Sequence, residues 1–412
     1  MDARAMRAAY PAIGEGGWIF FDNPAGTQMA GRAIGRMVEA MTDVNANLGG
    51  YFDASVRAGA LIGEARQAAA DFLGARDSRE IVFGQNMTTL TFAVSRALGA
   101  MLKPGDEILL TRMDHDANVA PWLMLAEDHG LTVRWLDFDT DSYEFDLSSL
   151  ETVLTERTRI VAVALASNLT GTIHDVRAIA GRASTVGALT FVDAVQFAPH
   201  GLIDVEALGC DLLVCSAYKF YGPHQGVLWG RRELLDALRA YRVRPAEARA
   251  PGNLETGTKS REAIAGVLGA IEHFAWVGDT FGTVARGASR RQRIAAGFAA
   301  LERHERALTH RLIDVVAAHP AVRIHGLTAT QALSRRVPTV SFTASGHDPA
   351  AIARRMARAR IALWSGDNYA VEPVARLGLA QSGGVVRVGL AAYNTREEVD
   401  EFGRVLAEVL SG

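Results

Sequence analysis

The stretch Ser216-Ala-Tyr-Lys-Phe-Tyr-Gly-Pro-His224 places one lysine, Lys219, between two apolar segments. The segment before it is Asp211-Leu-Leu-Val-Cys215, and the segment after it contains Val227-Leu-Trp229. The first of these segments predicts a strand that is buried on both faces of a sheet. A lysine between two such runs is not expected at the surface, where most lysines lie.

Further short apolar segments precede Lys219 and alternate with stretches of helical period. The expected strands also include residues 81–83, 107–110, 132–135, 159–165 and 189–192. The expected helices include residues 57–73, 88–98 and 174–185. This alternation predicts an α/β fold with a parallel sheet and covered faces, in which ligands bind beyond the carboxyl ends of the strands.

The chain changes character near residue 285, where a long, charge-rich helical stretch begins at Arg290. After it come expected strands and helices at residues 322–325, 337–342, 349–358, 385–390 and 395–410. The sequence therefore predicts a large domain over residues 31–285 and a smaller α+β domain over residues 286–412. Residues 1–30 are expected to form an N-terminal segment that packs with the small domain.

Composition excludes several classes of protein. The 412 residues carry a net charge of -3, with 49% hydrophobic and 22% charged residues, which is typical of a globular protein. This charge gives no reason to expect binding to nucleic acid or to an anionic membrane. No apolar run approaches the roughly 18 residues of a membrane span. Two cysteines do not suggest a disulfide framework, and a cytoplasmic location is the simplest expectation.

A carboxylate accompanies the lysine at the same edge of the expected sheet. Asp193 ends the apolar run Leu189-Thr-Phe-Val192, just as Lys219 follows its own apolar run. This pair suits pyridoxal phosphate (PLP), with the lysine as its Schiff-base partner and the aspartate facing the pyridine nitrogen. Taken alone, Asp193 could equally be a helix-capping or turn residue, and Lys219 a solvated one.

A phosphate group needs backbone donors and hydroxyls at a helix N-terminus. Asn86-Met-Thr-Thr89 follows an expected strand and opens an expected helix, so Thr88 and Thr89 are candidates for that role. Ser216 lies close to Lys219 in sequence and adds a third hydroxyl. Simple helix capping is the structural alternative for the threonines.

Three more side chains are candidates for contacts in the same crevice. Gln196 follows Asp193 closely and could hydrogen-bond the oxygen on the cofactor ring. His115 could stack on a planar cofactor. Arg387 lies inside the apolar segment 385–390 and suits a bidentate contact with the carboxylate of an amino acid. The structural alternatives are loop residues for the first two and an internal salt bridge for the arginine.

Other catalytic motifs are incomplete. Ser216 and Lys219 match the nucleophile motif of serine β-lactamases, but the Ser-Asp-Asn and Lys-Thr-Gly partners are missing. The chain has no Walker A sequence and no dinucleotide glycine fingerprint. The spacing of Cys210 and Cys215 does not suit a zinc pair, so both are expected in the core and no metal site is expected.

Taken together, these segments resemble the class V aminotransferase family of PLP enzymes, and within it the cysteine desulfurase-like branch. The resemblance runs through most of the chain, in the order Phe21-Asp-Asn-Pro-Ala-Gly26, Met113-Asp-His-Asp-Ala-Asn118, Ala166-Ser-Asn-Leu-Thr-Gly171, Asp193-Ala-Val-Gln196, the Lys219 stretch, Glu255-Thr-Gly-Thr258 and residues 387–394. It implies the PLP-transferase fold type I, whose large domain has a mainly parallel seven-stranded sheet flanked by helices.

The resemblance also implies roles for individual residues. The catalytic residues would be Lys219, Asp193 and His115. The cofactor contacts would be Thr88, Thr89, His115, Asn168, Asp193, Gln196, Ser216, Lys219 and Thr258. Thr258 would reach the phosphate of a neighbouring subunit, which implies a homodimer. The substrate, an amino acid, would be held by Arg387 through its carboxylate, with Asn168 and Tyr369 nearby.

The chain departs from the family pattern at two positions. Tyr218 precedes Lys219, where many relatives have a histidine that contacts the phosphate. Tyr369 falls about where desulfurases of this branch carry a nucleophilic cysteine, and no cysteine follows Cys215. Persulfide chemistry therefore has no nucleophile in its usual place.

The sequence thus predicts a PLP-dependent enzyme that acts at the α-carbon of an amino acid. We favour a lyase acting on a β-substituted substrate, which could contain sulfur. The alternatives are an epimerase or aminotransferase of the same family, a cysteine desulfurase with an unconventional thiol, and a PLP-binding protein without catalytic activity.

Overall fold

Strands and helices alternate along the chain because short aliphatic runs are separated by amphipathic stretches of helical period. The computed structural model describes residues 1–14 and 17–411. Within them, the strands are β1 Ile19–Phe20, β2 Ile81–Gly84, β3 Glu107–Thr111, β4 Thr132–Leu136, β5 Thr158–Ala164, β6 Leu189–Asp193, β7 Leu212–Ser216, β8 Gly226–Gly230, β9 Val322–His325, β10 Thr339–Ala344, β11 Ile361–Ala362, β12 Trp364–Gly366 and β13 Val385–Gly389. The helices are α1 Ala3–Arg7, α2 Gly31–Thr42, α3 Asp53–Leu73, α4 Met87–Gly99, α5 Ala120–His129, α6 Leu150–Val153, α7 Val176–Thr185, α8 Val205–Leu208, α9 Arg232–Ala237, α10 Arg261–Phe281, α11 Arg290–Ala317, α12 Pro349–Arg358, α13 Val371–Arg376 and α14 Arg396–Ser411.

The large sheet has seven strands in the order β2-β8-β7-β6-β5-β3-β4. The strands from β7 to β4 pair in parallel, whereas β8 runs antiparallel to both of its neighbours. The expected mainly parallel seven-stranded sheet is therefore confirmed. Because β8 returns by a short connection from β7, it can pair only in the antiparallel direction.

Both faces of this sheet are covered by helices. Along β5, Ile160 and Ala162 pack in a core with Leu90 of α4 and Leu125 of α5. The alternating residues of the same strand belong to a second core, on the other face, to which α3, α7, α10 and α11 contribute. Side chains of a strand alternate between faces, so a sheet covered on both sides requires apolar residues at nearly every position.

The C-terminal part forms a separate four-stranded antiparallel sheet in the order β12-β13-β10-β9. Its core contains Phe342 of β10, Val388 of β13, Phe402 of α14 and Phe21 from the N-terminal segment. Strand β1 pairs in parallel with β11. The expected boundaries at residues 30 and 285 stay a prediction.

In the part of the chain that the structure describes, no helix combines the length and the apolarity that a membrane crossing requires.

Candidate active site

The carboxyl ends of three adjacent parallel strands bring the candidate residues together. Asp193 is the last residue of β6 and Lys219 follows β7 in a short 3-10 turn, while Asn168 follows β5. Parallel neighbours end at the same edge of the sheet, so residues distant in sequence share one crevice. A cavity at this edge is lined by Met87, Thr88, His115, Ala117, Ala164, Ala166, Asn168, Asp193, Val195, Gln196, Tyr218 and Lys219.

Lys219 is a buried lysine, with only 9% of its surface exposed. Its Nζ donates a hydrogen bond to the backbone carbonyl of Pro24. Burial lowers the pKa of this amine to about 7, and the positive charge of Arg387 acts in the same direction. A large fraction of the amine is therefore neutral near pH 7, as nucleophilic attack on an aldehyde requires.

Asp193 is buried on the floor of the same cavity. Its Oδ1 accepts a hydrogen bond of 2.8 Å from the backbone N–H of Val195. Burial raises the pKa of this carboxyl to about 6, and the backbone hydrogen bond and the charge of Lys219 oppose that shift. A buried carboxylate of this kind is stabilised by a cationic hydrogen-bond donor, such as a protonated pyridine nitrogen.

His115 lies on the opposite wall, stacked against Tyr369. The ring centroids are 5.4 Å apart and the planes differ by 14°. The backbone N–H of Ala117 donates to His115 Nδ1 at 3.0 Å, which leaves the proton of the neutral ring on Nε2. Burial lowers the pKa of this imidazole to about 3, with smaller contributions from the charges of Lys219 and Arg387, so the ring is neutral near pH 7.

The loop that carries Tyr369 is held in an uncommon backbone conformation. Asn368 and Tyr369 both have positive φ values, 55° and 56°. Asn168 Nδ2 donates to the carbonyl of Asn368 at 2.9 Å, and the backbone N–H of Asp116 donates to the carbonyl of Tyr369 at 2.8 Å. Residues other than glycine seldom adopt this region, so these two contacts stabilise a costly position of the tyrosine over the cavity.

Arg387, on β13 of the four-stranded sheet, contacts Asn168, which lines the cavity. Arg387 is 5% exposed, and one of its Nη atoms donates to the backbone carbonyl of Asn168 at 3.1 Å. Among the described residues, Arg387 Nε and Asn168 Oδ1 have no hydrogen-bond partner although both atoms are buried. An unsatisfied buried polar atom costs about 1–3 kcal/mol. A bound ligand with complementary groups would remove that cost.

The candidate phosphate contacts fall into two places. Thr88 lines the cavity, and Ser216 Oγ accepts from the backbone N–H of Met87 at 2.9 Å, at the N-terminus of α4. Thr89 instead caps the helix with Asn86 and, together with Thr258, lines a neighbouring cavity. The structure of one chain therefore does not bring Thr89 and Thr258 into the cavity of Lys219.

Gln196 lines the same cavity, where its Nε2 donates to Thr339 Oγ1 at 2.9 Å. This contact links the site to the first residue of β10 in the small sheet.

The N-terminal segment also reaches the site, and its side chains were not among the predicted site residues. Pro24 accepts the hydrogen bond from Lys219, and the carboxylate of Asp22 lies close enough to Arg387 and Lys219 to interact with their charges. The segment Phe21-Asp-Asn-Pro-Ala-Gly26 was recognised in the sequence, but no pattern there shows that it folds back over residue 219. The parallel pairing of β1 with β11, the bridge from Asp22 to Gly389 and the hydrogen bond from the backbone N–H of Thr27 to the carbonyl of Tyr218 place it there.

Comparisons with known proteins agree with this geometry. The profile of the family described as "Aminotransferase class-V" matches residues 19–402. An aminotransferase-like protein of Gibberella zeae is 33% identical over 98% of both chains. A probable cysteine desulfurase of Streptomyces coelicolor is 30% identical over 97% of this chain and 95% of that one. The structure of a cysteine desulfurase from Thermococcus onnurineus superposes with a TM-score of 0.88 at 29% identity, over 99% of this chain and 98% of that one.

Proteins of this family depend on PLP, which confirms the expected cofactor. The residues present fit this group, since the cavity holds a buried amine at Lys219, a buried carboxylate at Asp193 and a neutral ring at His115. The chain therefore belongs to the class V aminotransferase family, in its cysteine desulfurase-like branch.

Proposed function

We propose that this protein is a PLP-dependent lyase that removes a substituent from the β-carbon of an amino acid. The observation that carries the proposal is the convergence of a buried amine, a buried carboxylate and a buried guanidinium, from Lys219, Asp193 and Arg387, on one crevice. When bound, PLP accepts the electron pair that is released when a bond to the substrate's α-carbon breaks.

Lys219 serves two purposes in this scheme. Its Nζ would hold the cofactor, and the same nitrogen, when free, would take the proton from the α-carbon of the substrate. Because its pKa is lowered to about 7, the free amine is neutral often enough to act as a base near neutral pH. In this proposal no other side chain takes the proton from the α-carbon.

Asp193, Gln196 and His115 would hold the cofactor. The carboxylate of Asp193 would accept a hydrogen bond from a protonated ring nitrogen, which favours electron acceptance. Gln196 would offer its amide to the ring oxygen, and the neutral imidazole of His115 would supply a stacking surface. Thr88 and Ser216 contribute hydroxyls beside the N-terminus of α4, where the helix dipole favours a phosphate.

Arg387 and Asn168 anchor the substrate. The guanidinium of Arg387, a residue of β13, is buried and has an unpartnered Nε, so it suits the α-carboxylate of an amino acid. When the α-carboxylate of the substrate is held in one place, the α-carbon is oriented toward Lys219. The reacting atoms are then already positioned for proton transfer.

The protonation state of His115 favours elimination over epimerisation. Epimerisation by two bases needs a second acceptor on the face opposite to Lys219. The Nδ1 of His115 already accepts from Ala117, and its Nε2 carries the proton, so the ring has no free acceptor nitrogen there. A single base at Lys219 suffices for β-elimination and for transamination.

Two exposed aromatic residues near the cavity, which we call the aromatic rim, suit a substrate with a large side group. Trp364, on β12, and Tyr369, which follows β12 and stacks on His115, are 53% and 71% exposed. Trp364 pairs directly with Arg387 between β12 and β13, so both side chains point to the same face of the sheet. A β-substituent would extend from the anchored α-carbon toward this aromatic rim.

Neither cysteine supports desulfuration by a protein thiol. Cys210 and Cys215 are the two cysteines of the chain, and both are fully buried in the core. Burial raises the pKa of the Cys210 thiol to about 12 and also raises that of Cys215. Neither residue lines the cavity of Lys219.

We also propose that the active form is a homodimer. The exposed face of α2 and the loop after it carry large apolar side chains, at Ile34, Val38, Met41, Tyr51 and Phe52. We call this set the α2 stripe. Arg261 donates to the side chains of Asn45 and Asn47, which joins the stripe to the loop that ends at Ser260 and carries Thr258. An interface over the stripe would therefore place Thr258 near a neighbouring subunit.

The decisive experiment is a screen of β-substituted and unsubstituted amino acids against the holoenzyme, followed by product identification. We expect a spectral change for substrates and release of pyruvate or a related 2-oxo acid together with the β-substituent and ammonia. Inverted substrate without an oxo acid would show an epimerase instead, and an oxo acid without ammonia would show an aminotransferase. An unchanged cofactor spectrum with every amino acid would contradict enzymatic function.

A further inference from the structure

Within residues 1–14 and 17–30, Asp22 is the carboxylate that lies close to Arg387 and Lys219, and it has no role in the function proposed above. It lies in the turn after β1, and its backbone forms a parallel bridge with Gly389, two residues after Arg387. Burial raises the pKa of this carboxyl, and the positive charges of Arg387 and Lys219 oppose that shift and favour the carboxylate form. Asp22 therefore lies near Arg387 and Lys219, which are proposed to receive the carboxylate and the amino group of the substrate.

One oxygen of the Asp22 carboxylate also lacks a hydrogen-bond partner. Among the described residues, its Oδ1 is buried without a hydrogen bond, in the same way as Arg387 Nε and Asn168 Oδ1. The three atoms comprise one donor and two acceptors on neighbouring parts of one site. This set complements a ligand that brings one carboxylate and one ammonium group.

The position of Asp22 is rigid. The side chain of Asn23 donates to the carbonyls of Phe20 and Gly389, at 2.9 and 2.8 Å. The backbone N–H of Gly389 donates to the carbonyl of Phe21 at 2.8 Å. These contacts fix the backbone on both sides of Asp22, so the carboxylate can move only by rotation of its own short side chain. A buried carboxylate oxygen without a partner is typical of a ligand contact. A loop carboxylate without such a role would point into solvent.

We propose that Asp22 contacts the substrate, accepting a hydrogen bond from its ammonium group and selecting amino acids that carry a single carboxylate. The proposal rests on the function proposed above and names its substrate class. The α-carboxylate of the substrate lies on Arg387, and the amino group must approach Lys219 before it replaces that amine. A substrate with a second carboxylate near Asp22 would meet a fixed negative charge in a site of low dielectric. Monocarboxylic amino acids avoid this repulsion.

The test compares ligands of equal shape and different charge. Asparagine and aspartate form one such pair, and glutamine and glutamate form another. Titration of the wild-type holoenzyme, followed by the cofactor spectrum, should give tighter binding of the amide in each pair. In Asp22→Asn this preference should fall roughly tenfold, since removal of one charge contact of about 1.4 kcal/mol corresponds to that factor. Asp22→Glu should restore part of it.

Asp116→Asn is the matched control, because Asp116 lies beside His115 and the substitution removes the same charge. It should leave the preference for the amide unchanged. Two results would overturn the proposal: an unaltered preference for the amide in Asp22→Asn, or a wild-type protein that binds aspartate as tightly as asparagine. The second result does not depend on the folding of any variant. If the wild-type spectrum responds to no amino acid, the proposed function itself fails together with this inference, whereas a normal response without charge discrimination removes only the role of Asp22.

Discussion

Tyr369 closes the site by stacking on His115, with ring centroids 5.4 Å apart and planes 14° apart. The outer face of Tyr369 is open, since 71% of its surface is exposed. The tyrosine thus shields one edge of the imidazole from water. The expectation that Tyr369 falls near the position of the reactive cysteine of desulfurases stays a prediction, and in this chain the residue contributes an aromatic contact.

Tyr369→Ala should loosen the cofactor site because it removes this aromatic contact. An aromatic pair contributes about 0.5–1.5 kcal/mol beyond buried area, so we expect the rate of cofactor release to rise roughly two- to tenfold. Loss of visible cofactor absorption after dilution measures that rate. Tyr369→Phe keeps the ring and should behave as the wild type. If the phenylalanine variant releases the cofactor as fast as the alanine variant, the hydroxyl and not the stacked ring is responsible.

The pKa of Lys219 predicts how cofactor binding depends on pH. Burial lowers this pKa from 10.5 to about 7, and only the neutral amine attacks the aldehyde. Covalent attachment of PLP to the cofactor-free protein should therefore speed up as pH rises through about 7 and level off above about 8. Stopped-flow absorption measures the rate. A rate that continues to rise up to about pH 10 would show an amine with an ordinary lysine pKa.

Arg387→Lys should weaken substrate binding more than it slows the chemical step. A lysine keeps the charge but loses the planar, bidentate donor geometry that suits a carboxylate. We expect KM for amino acids to rise roughly 10- to 100-fold with a smaller change in kcat. Arg335→Lys, which alters an exposed arginine paired with Glu144, is the control and should change neither constant. Equal falls in kcat and kcat/KM would mean that Arg387 acts only in the transition state.

The sequence is sufficient to predict the elements that repeat a strong local pattern. The helix expected at residues 349–358 has those bounds in the structure, and six of the seven strands of the large sheet were expected within a few residues. Strand β8 was not among the expected strands, although its apolar run Val227-Leu-Trp229 is as long as the run at residues 81–83 that predicted β2. Helix α2 was also left out, because its apolar residues at Ile34, Val38 and Met41 are exposed and could not be assigned to a core from sequence alone.

The site was predictable where a residue follows a strand directly, as Asp193 and Lys219 do. Asp22 was not, because its approach to Arg387 depends on pairing between segments more than 300 residues apart, β1 with β11. The neighbouring cavity of Thr89 and Thr258 likewise depends on how the loop before α10 folds. Local patterns contain no information on such long-range contacts, whereas strand ends recur at fixed places in a parallel sheet.

Both cysteines should be inert in the folded protein. Burial raises the pKa of each thiol, and thiols react as thiolates, so a thiol reagent such as Ellman's reagent should label neither Cys210 nor Cys215 before denaturation. In denaturant it should label both. Any sulfide that the enzyme releases should persist in the double variant Cys210→Ala, Cys215→Ala. Loss of sulfide release in a variant that still binds PLP would support a protein thiol as the sulfur carrier.

The α2 stripe predicts how the proposed dimer can be separated. Val38 and Phe52 are 47% and 58% exposed on one chain, and an interface that covers them would bury two apolar groups per subunit. The double variant Val38→Glu, Phe52→Glu places four carboxylates in that interface, so it should shift the protein to monomer in sedimentation velocity. Val243→Glu alters an exposed valine outside the stripe and should leave the mass unchanged.

The same variants test whether Thr258 acts across the interface. If it reaches the phosphate in a neighbouring subunit, the monomeric double variant should bind PLP more weakly, and Thr258→Ala in the dimer should weaken binding in the same direction. Combining the two changes should then add little, because a monomer no longer offers the hydroxyl to another subunit. Full additivity, with Thr258→Ala weakening the monomer as much as the dimer, would place the hydroxyl in its own subunit's site and would remove the structural reason for a shared active site.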